Sequence, residues 1–173
     1  VALYGGELVE TIRALNSDEG WRDLYGKRSD RLKDQELILR VIALHTDSGS
    51  YYSPLKTFLN DFLGEHRDGS GIDLAKESVL FRAAAATLNY AVGRRAFRLR
   101  TQVNAAILDA VFVGVMERIG AGSTDSIAKE SWESAYDGLL ANSKFIDAVT
   151  KATANEESVE ARLTEARAAF SEL

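Results

Sequence analysis

The segment GRRAFRLR, residues 93–100, places four arginines within seven residues, and this spacing could bind phosphate. These arginines are Arg94, Arg95, Arg98 and Arg100. Residues 78–108 contain no Asp or Glu, and Arg82 adds a fifth arginine there. Arginine presents a planar fork of donors that matches the oxygens of a phosphate group. The segment, called the arginine tract below, therefore indicates contact with DNA or a nucleotide, and Gln102 and Asn104 follow it as further hydrogen-bonding groups.

The arginine tract also has a purely structural interpretation. Cations near the carboxyl end of a helix are stabilised by the helix dipole. In this interpretation Phe97 packs into the core and Asn104 caps the helix that follows. We expect Phe97 to point inward and the first three arginines to point at least partly outward. Pairing of these arginines with the acidic C-terminal helices would instead make the tract an internal contact.

Two charged residues interrupt segments that otherwise look buried. Arg40 lies within LILRVIAL, and Asp109 lies within AAILDAVFV. A buried charge without a partner is costly, so we predict that each residue is salt-bridged inside the protein. The simplest arrangement pairs Arg40 with Asp109. The alternative is that Arg40 points into a cleft shared with a neighbouring domain.

The sequence offers little basis for metal or acid–base chemistry. The chain has no Cys, and its only histidines, His45 and His66, lack the spacing of metal ligands. It also lacks a glycine-rich phosphate-binding motif. Asp30, Asp34 and Glu36 alternate with basic residues, which is typical of a solvated helix start. We therefore predict no metal, no cofactor and no catalytic residue.

Composition and charge are those of a globular protein with an uneven charge distribution. The 173 residues are 46% hydrophobic and 27% charged, with one proline, which favours helices. The net charge is −5, yet residues 78–116 carry +4. No apolar run reaches the roughly 18 residues of a membrane span. We expect a cytoplasmic protein without membrane contact, and the start VALYGG suggests a fragment of something longer.

Hydrophobic periodicity predicts an all-α fold, a single-domain bundle of six to eight helices over residues 1–173. The predicted helices cover residues 6–15, 35–45, 54–66, 72–92, 102–119, 128–141, 142–153 and 155–173, with a short turn or helix at 21–26. Asp34, Ser53 and Asn142 are predicted N-caps, and Gly93 is the predicted end of helix 72–92. The helix at 102–119 is predicted to be central and buried.

Four segments, taken in order, resemble the helical region of the GmrSD-type proteins, a bacterial family that begins with a ParB/sulfiredoxin-like domain. They are ALYGGELVETIRALN with WRDLYGKRSDRLKDQELILRVIAL, then YSPLKTFLNDFL, then VGRRAFRLRTQVNAAILDAVFVGV, and finally VEARLTEARAAF. The core DQELILRVIAL followed by PLKTFLNDF is the most specific part. The resemblance extends from about residue 2 to residue 172.

The resemblance implies a role in restriction of modified phage DNA or related anti-phage defence. In the family an upstream ParB-like domain carries a Gln-Gln-Arg motif linked to nucleotide hydrolysis, and many members add an HNH-type nuclease domain. This chain contains neither signature, so it is expected to be a non-catalytic helical scaffold that positions an upstream ParB-like domain and lies close to DNA or nucleotide.

A protein-interaction module without nucleic-acid contact is the alternative function, and a homo-oligomer is a further expectation. A neighbouring domain lost from the chain would leave an exposed apolar patch. We expect that patch around Leu3, Tyr4 and Leu8.

Overall fold

The computed structural model describes residues 5–173, and within this range all regular structure is helical. The helices are α1 (Glu7–Leu15), α2 (Glu19–Tyr25), α3 (Lys33–Asp47), α4 (Leu55–Glu65), α5 (Leu74–Ala91), α6 (Ala105–Gly120), α7 (Lys129–Ala141), α8 (Ser143–Thr150) and α9 (Glu156–Ser171). Short 3-10 turns cover Ser48–Ser50 and Gly93–Phe97. The all-α class is confirmed. The described range contains nine helices, so the predicted count of six to eight is too low.

The additional helix is α2, which the sequence predicts only as a short turn or helix. The Asp18 side chain accepts a hydrogen bond from the Trp21 amide at 3.1 Å and so satisfies one free donor of the first turn. Asn142 caps α8 in the same way, as predicted, accepting from the amides of Lys144 and Phe145. Side-chain capping therefore stabilises α2 and α8, which are only seven and eight residues long.

Two predicted caps are wrong. Helix α3 begins at Lys33 after Leu32, so Asp34 lies in its first turn rather than before it. Helix α4 begins at Leu55 after an extended Pro54, and the Ser53 side chain makes no capping bond. The Ser53 amide instead donates to Glu156 at 2.7 Å and ties this corner to α9. For Asp34 the error arises because its carboxylate is used by the contact with Arg22.

Helix α6 lies at the centre of the core, as predicted. Residues 106–116 are all buried, and α6 packs against α3, α5 and α9. Phe112 of α6 stacks on Phe81 at 4.6 Å and on Phe97 at 5.4 Å between ring centroids, and Trp21 meets it edge-on at 5.9 Å. Phe97 thus points inward, as expected from the sequence. Every helix contributes buried side chains to this core.

The expected apolar patch near the N-terminus is not formed by Leu8. This residue is fully buried in α1 and belongs to the core, because α1 packs against both α3 and α5. The other two residues of that prediction, Leu3 and Tyr4, lie outside the described residues.

Helices α6 and α9 approach closely at Gly114. A Cβ atom at this position would lie 2.8 Å from the carbonyl oxygen of Ala166 and 2.9 Å from the Phe170 ring. One of these neighbours is backbone, so the contact cannot be relieved by a side-chain rotation. Only glycine fits this crossing without a shift of one helix against the other.

Two Gly→Ala substitutions are therefore expected to change stability in opposite directions. Gly114→Ala should destabilise the protein by about 1–3 kcal/mol through overpacking. Gly138→Ala, in α7 where nothing lies within 4 Å of the added methyl group, should stabilise it by up to about 1 kcal/mol through helix propensity. Urea denaturation followed by circular dichroism measures both changes. Equal shifts in the two variants would contradict the close α6–α9 approach.

Candidate nucleic-acid interface and buried charge cluster

The arginine tract forms the connection between α5 and α6. Helix α5 ends at Ala91, and Gly93, with φ of 63°, turns the chain into the 3-10 segment as the predicted helix end. The tract's Ala96 and Phe97 are buried, whereas its arginines lie at the surface: Arg98 is half-buried, and Arg94, Arg95 and Arg100 are exposed. The tract therefore places Ala96 and Phe97 in the core, and its guanidinium groups and Leu99 at the surface.

Arg94 and Arg98 cap a helix, but it is α2 rather than the preceding α5. Arg94 Nε donates to the carbonyl oxygen of Asp23 at 3.2 Å. Arg98 donates to the carbonyl oxygens of Leu24 at 3.1 Å and Tyr25 at 3.0 Å. These are last-turn carbonyls without an intrahelical partner, so the two arginines satisfy them and complement the helix dipole.

These caps leave the positive charges of Arg94 and Arg98 unneutralised. A backbone carbonyl carries a dipole but no formal charge, and within the described residues neither arginine has a carboxylate partner. Burial lowers the pKa of Arg98, and the nearby Arg94 charge adds to that effect. The Arg94 charge repels the Arg98 charge, and an anion at this surface would relieve this repulsion.

Arg95 is the one arginine of the tract that is tied to an acidic C-terminal helix. Its Nη1 atom lies 2.6 Å from Asp137 of α7, and this hydrogen bond raises the pKa of Arg95. Its guanidinium group also lies over the Tyr136 ring, 5.3 Å from the centroid. The Tyr136 hydroxyl donates to the carbonyl oxygen of Ala96 at 2.8 Å. Arg95 therefore forms an internal contact with an acidic C-terminal helix, which is the structural interpretation of the tract.

The two remaining predicted residues, Arg100 and Gln102, are exposed and make no side-chain hydrogen bond to residues 5–173. They line a shallow depression of about 500 Å³ together with Leu99 and Thr150. Asn104, in contrast, is fully used by the fold. Its side chain accepts from the amides of Ala106 and Ile107 and donates to the Val149 carbonyl, so it is the cap of α6 and not a free group for a base edge.

The structure adds a second basic segment that sequence reasoning missed. Because Arg94 and Arg98 hold the last turn of α2, the tract lies beside the loop that leaves that turn at Gly26. This loop and the first residue of α3 carry four exposed cations and one exposed acid, Asp30. We call the combined surface the basic edge. It consists of Lys27, Arg28, Arg31, Lys33, Arg94, Arg98 and Arg100.

Arg40 and Asp109 are brought together in a buried cluster. Arg40 Nη2 donates to Asp109 Oδ2, joining α3 to α6. A third residue, Arg162 of α9, was not predicted from the sequence and binds the same carboxylate. Its Nε atom donates to Asp109 Oδ1 at 2.8 Å, and its Nη2 atom donates to Asp109 Oδ2 at 2.9 Å. Asp109 and Arg162 are fully buried and Arg40 is 9% exposed, so Arg40 faces the interior rather than a cleft.

The cluster contains two guanidinium groups and one carboxylate. Arg162 uses a further donor on the carbonyl oxygen of Thr153 at 2.6 Å, while the buried Nε atom of Arg40 has no partner among the described residues. Burial raises the pKa of the neighbouring Tyr51 hydroxyl, and the two arginine charges oppose that rise. The cluster joins α3, α6 and α9, and its closed geometry indicates a structural role.

The acidic residues and histidines also have structural surroundings. Asp34 is 1% exposed and paired with Arg22 at 3.0 Å, so the predicted solvated helix start is wrong at this position. His45 contacts Glu77 at 2.7 Å, and His66 contacts the Ser70 carbonyl at 2.7 Å. Across residues 5–173 no group of three or more His, Asp or Glu side chains is arranged to hold a metal ion.

Among the helices of the described range, none combines the length and the apolar character required to cross a bilayer. Comparison of the chain with protein-family models, curated proteins and solved structures gave no match. The resemblance to the helical region of GmrSD-type proteins therefore stays a prediction from the sequence.

Two Asp→Asn substitutions compare the contributions of the buried cluster and of a surface ion pair to the free energy of unfolding. Asp109→Asn leaves two buried arginines without a counter-charge and should cost about 3–5 kcal/mol of unfolding free energy. Asp137→Asn breaks the half-exposed pair with Arg95 and should cost at most about 1 kcal/mol. Urea denaturation of both variants measures the costs, and similar small losses would show that the cluster does not hold the core together.

Proposed function

We propose that this chain is a single helical domain that serves as the scaffold of a GmrSD-like, modification-dependent restriction or phage-defence protein. In this role it positions an upstream ParB-like domain and contacts DNA through the basic edge. The family part of the proposal is supported by the sequence resemblance alone. The DNA part is supported by one observation, the juxtaposition of the loop at 26–33 with the arginine tract.

The chemistry of the basic edge favours phosphate contact over base recognition. It presents seven cations from two segments about 70 residues apart, on a chain whose net charge is −5. Such a concentration of positive charge attracts a polyanion through counterion release without regard to sequence. Gln102 is an exposed neutral neighbour that could reach a base edge. We therefore propose that the domain binds the nucleic-acid backbone, while sequence or modification is read by the upstream domain.

Catalysis is not proposed for this chain. The buried carboxylate of Asp109 is neutralised by two arginines, and Asp34 is neutralised by Arg22. Neither carboxylate is free to transfer a proton to a substrate. In the proposed protein, nucleotide hydrolysis belongs to the upstream ParB-like domain and strand cleavage to that domain or to an added HNH-type domain, and the present chain supplies position and charge.

A charge-matched pair of variants tests the DNA contact. Lys27→Gln/Arg31→Gln/Arg100→Gln removes three cations of the basic edge that make no ion pair in the described range. Lys56→Gln/Lys76→Gln/Lys144→Gln removes three exposed cations elsewhere. Fluorescence anisotropy with a labelled DNA duplex, measured between 50 and 200 mM salt, should show that the first variant loses about 2–3 units of salt slope, whereas the second keeps the wild-type slope.

The choice of these residues avoids Arg94 and Arg98, because their removal would also uncap α2 and lower stability. Equal losses in the two triple variants would show that net charge alone, rather than the basic edge, attracts DNA. A wild-type chain that does not bind duplex or single-stranded DNA at 50 mM salt would overturn the proposed DNA contact.

A protein-interaction module is the second candidate function, and it is favoured by the outward face of α5. Val79 and Tyr90 are each 65% exposed, and Ala86 lies between them on the same side of the helix. Exposed apolar side chains aligned at helical spacing are typical of a contact surface for another protein. If the DNA experiment fails, this face becomes the leading candidate for the domain's contacts.

A further inference from the structure

We propose that Asp34 is the positioning residue of the basic edge: its buried carboxylate fixes the loop at 26–33 so that the loop cations lie beside the arginine tract. The inference about binding rests on the proposed DNA contact. The inference about the loop itself does not, because it concerns contacts within the chain.

Asp34 joins three parts of the fold through one side chain. It lies in the first turn of α3 and is 1% exposed. Its Oδ2 atom accepts from Arg22 Nη1 of α2 at 3.0 Å and from the Ser29 amide in the middle of the loop at 3.2 Å. Its Oδ1 atom accepts from the Gln35 amide at 3.1 Å. The carboxylate therefore holds the start, the middle and the end of this connection together.

The partner of Asp34 is itself held rigidly. Arg22 Nη2 donates to Asn16 Oδ1 at 2.8 Å, and the Trp21 indole donates to the same oxygen at 3.0 Å. The Arg22 guanidinium also lies over the Tyr25 ring, 5.3 Å from its centroid. The contacts with Asn16 and Tyr25 fix the position of the Arg22 guanidinium, which in turn fixes the position of the Asp34 carboxylate. The fixed carboxylate then holds the loop in one conformation.

The loop conformation shows that contacts rather than local preference determine it. Leu32 has φ of 56°, in the left-handed region that residues with a Cβ atom avoid, and its side chain is 42% exposed. The Ser29 hydroxyl accepts from the amides of Arg31 and Lys33, each at 3.3 Å. A residue in this conformation persists only where its surroundings impose it. The bonds around Asp34 and Ser29 are the contacts that do so here.

The same helix connects both halves of the basic edge. Helix α2 presents Arg22 to Asp34 on one side and its last carbonyls to Arg94 and Arg98 on the other. The loop backbone that carries these cations is therefore held beside the tract before any ligand arrives. Ordering a flexible cationic loop in advance lowers the entropic cost of binding, so it should increase affinity without a new contact.

Asp34→Asn distinguishes positioning of the loop from simple electrostatic attraction, because the two predict changes in DNA affinity of opposite sign. The substitution removes one negative charge, which by itself would strengthen binding to a polyanion. If Asp34 positions the loop, its loss should weaken binding instead, by about fivefold to tenfold in Kd. Asp30→Asn is the matched control, since Asp30 is exposed in the same loop and makes no side-chain bond to the described residues.

The binding experiment measures the Kd of wild type, Asp34→Asn and Asp30→Asn for a labelled DNA duplex by fluorescence anisotropy. We expect Asp34→Asn to bind more weakly than wild type and Asp30→Asn to bind equally or more tightly. If Asp34→Asn binds DNA as tightly as Asp30→Asn does, the positioning role of Asp34 in DNA binding is overturned.

Limited trypsin digestion tests the loop without any ligand. Trypsin cleaves after Lys and Arg, so residues 27–33 offer four sites that are protected only while the loop is ordered. We expect Asp34→Asn to be cut there at least about ten times faster than wild type, with Asp30→Asn unchanged, as located by mass spectrometry. Equal rates in all three proteins would show that Asp34 does not order the loop.

Ser29→Ala keeps the experiment decisive if Asp34→Asn fails to fold. It removes the hydroxyl that accepts from Arg31 and Lys33 and leaves the buried Arg22–Asp34 pair in place. Faster cutting and weaker binding by this variant would support the ordered loop, and cutting as slow as in wild type would overturn the claim that the Ser29 hydroxyl helps to impose its conformation. A wild-type chain that does not bind DNA overturns the proposed function, while the trypsin comparison still decides whether Asp34 orders the loop.

Discussion

The architecture depends on neutralising one carboxylate at the centre of the core. Helix α6 is buried on every side over residues 106–116, yet it carries Asp109 in the middle of that stretch. An ionised carboxylate in such surroundings requires close donors. Arg40 from α3 and Arg162 from α9 provide them, so the charge that could have disrupted the core instead determines which helices lie against α6. Replacement of such a cluster by apolar residues is often neutral for stability, so we expect the cluster to contribute mainly by fixing the helix register.

The arginine tract shows how one segment can serve structure and still present charge. A guanidinium that pairs with a carboxylate, as Arg95 does with Asp137, presents little net charge to its surroundings. A guanidinium that caps carbonyl groups, as Arg98 does, stabilises a helix end and keeps its full charge. The two interpretations of the tract that the sequence left open are therefore compatible in Arg94 and Arg98.

The sequence predicts the local features of this fold well, because periodicity and capping are encoded in neighbouring residues. The all-α class, the buried α6, the inward Phe97 and the Asn142 cap follow from patterns a few residues long. Arg162 escapes prediction because it lies in EESVEARLTEAR, where charged residues are frequent and its burial is set by α6, which is distant in sequence. Asp34 looks like a cap for the same reason, since its partner Arg22 belongs to another helix. The basic edge likewise depends on contacts between residues about 70 positions apart, which no local pattern contains.

The position of Arg162 in the chain has a consequence for how the protein is made. A ribosome releases the chain from its N-terminal end, so Arg40 and Asp109 emerge well before Arg162, which follows Asp109 by 53 residues. Until α9 appears, Arg162 is missing from the cluster around Asp109, and α6 lacks the helix that covers it at Gly114. The apolar surface of α6 then remains open to solvent or to a chaperone. The core of this domain therefore closes only once α9 is available, although most of the core residues are synthesised earlier.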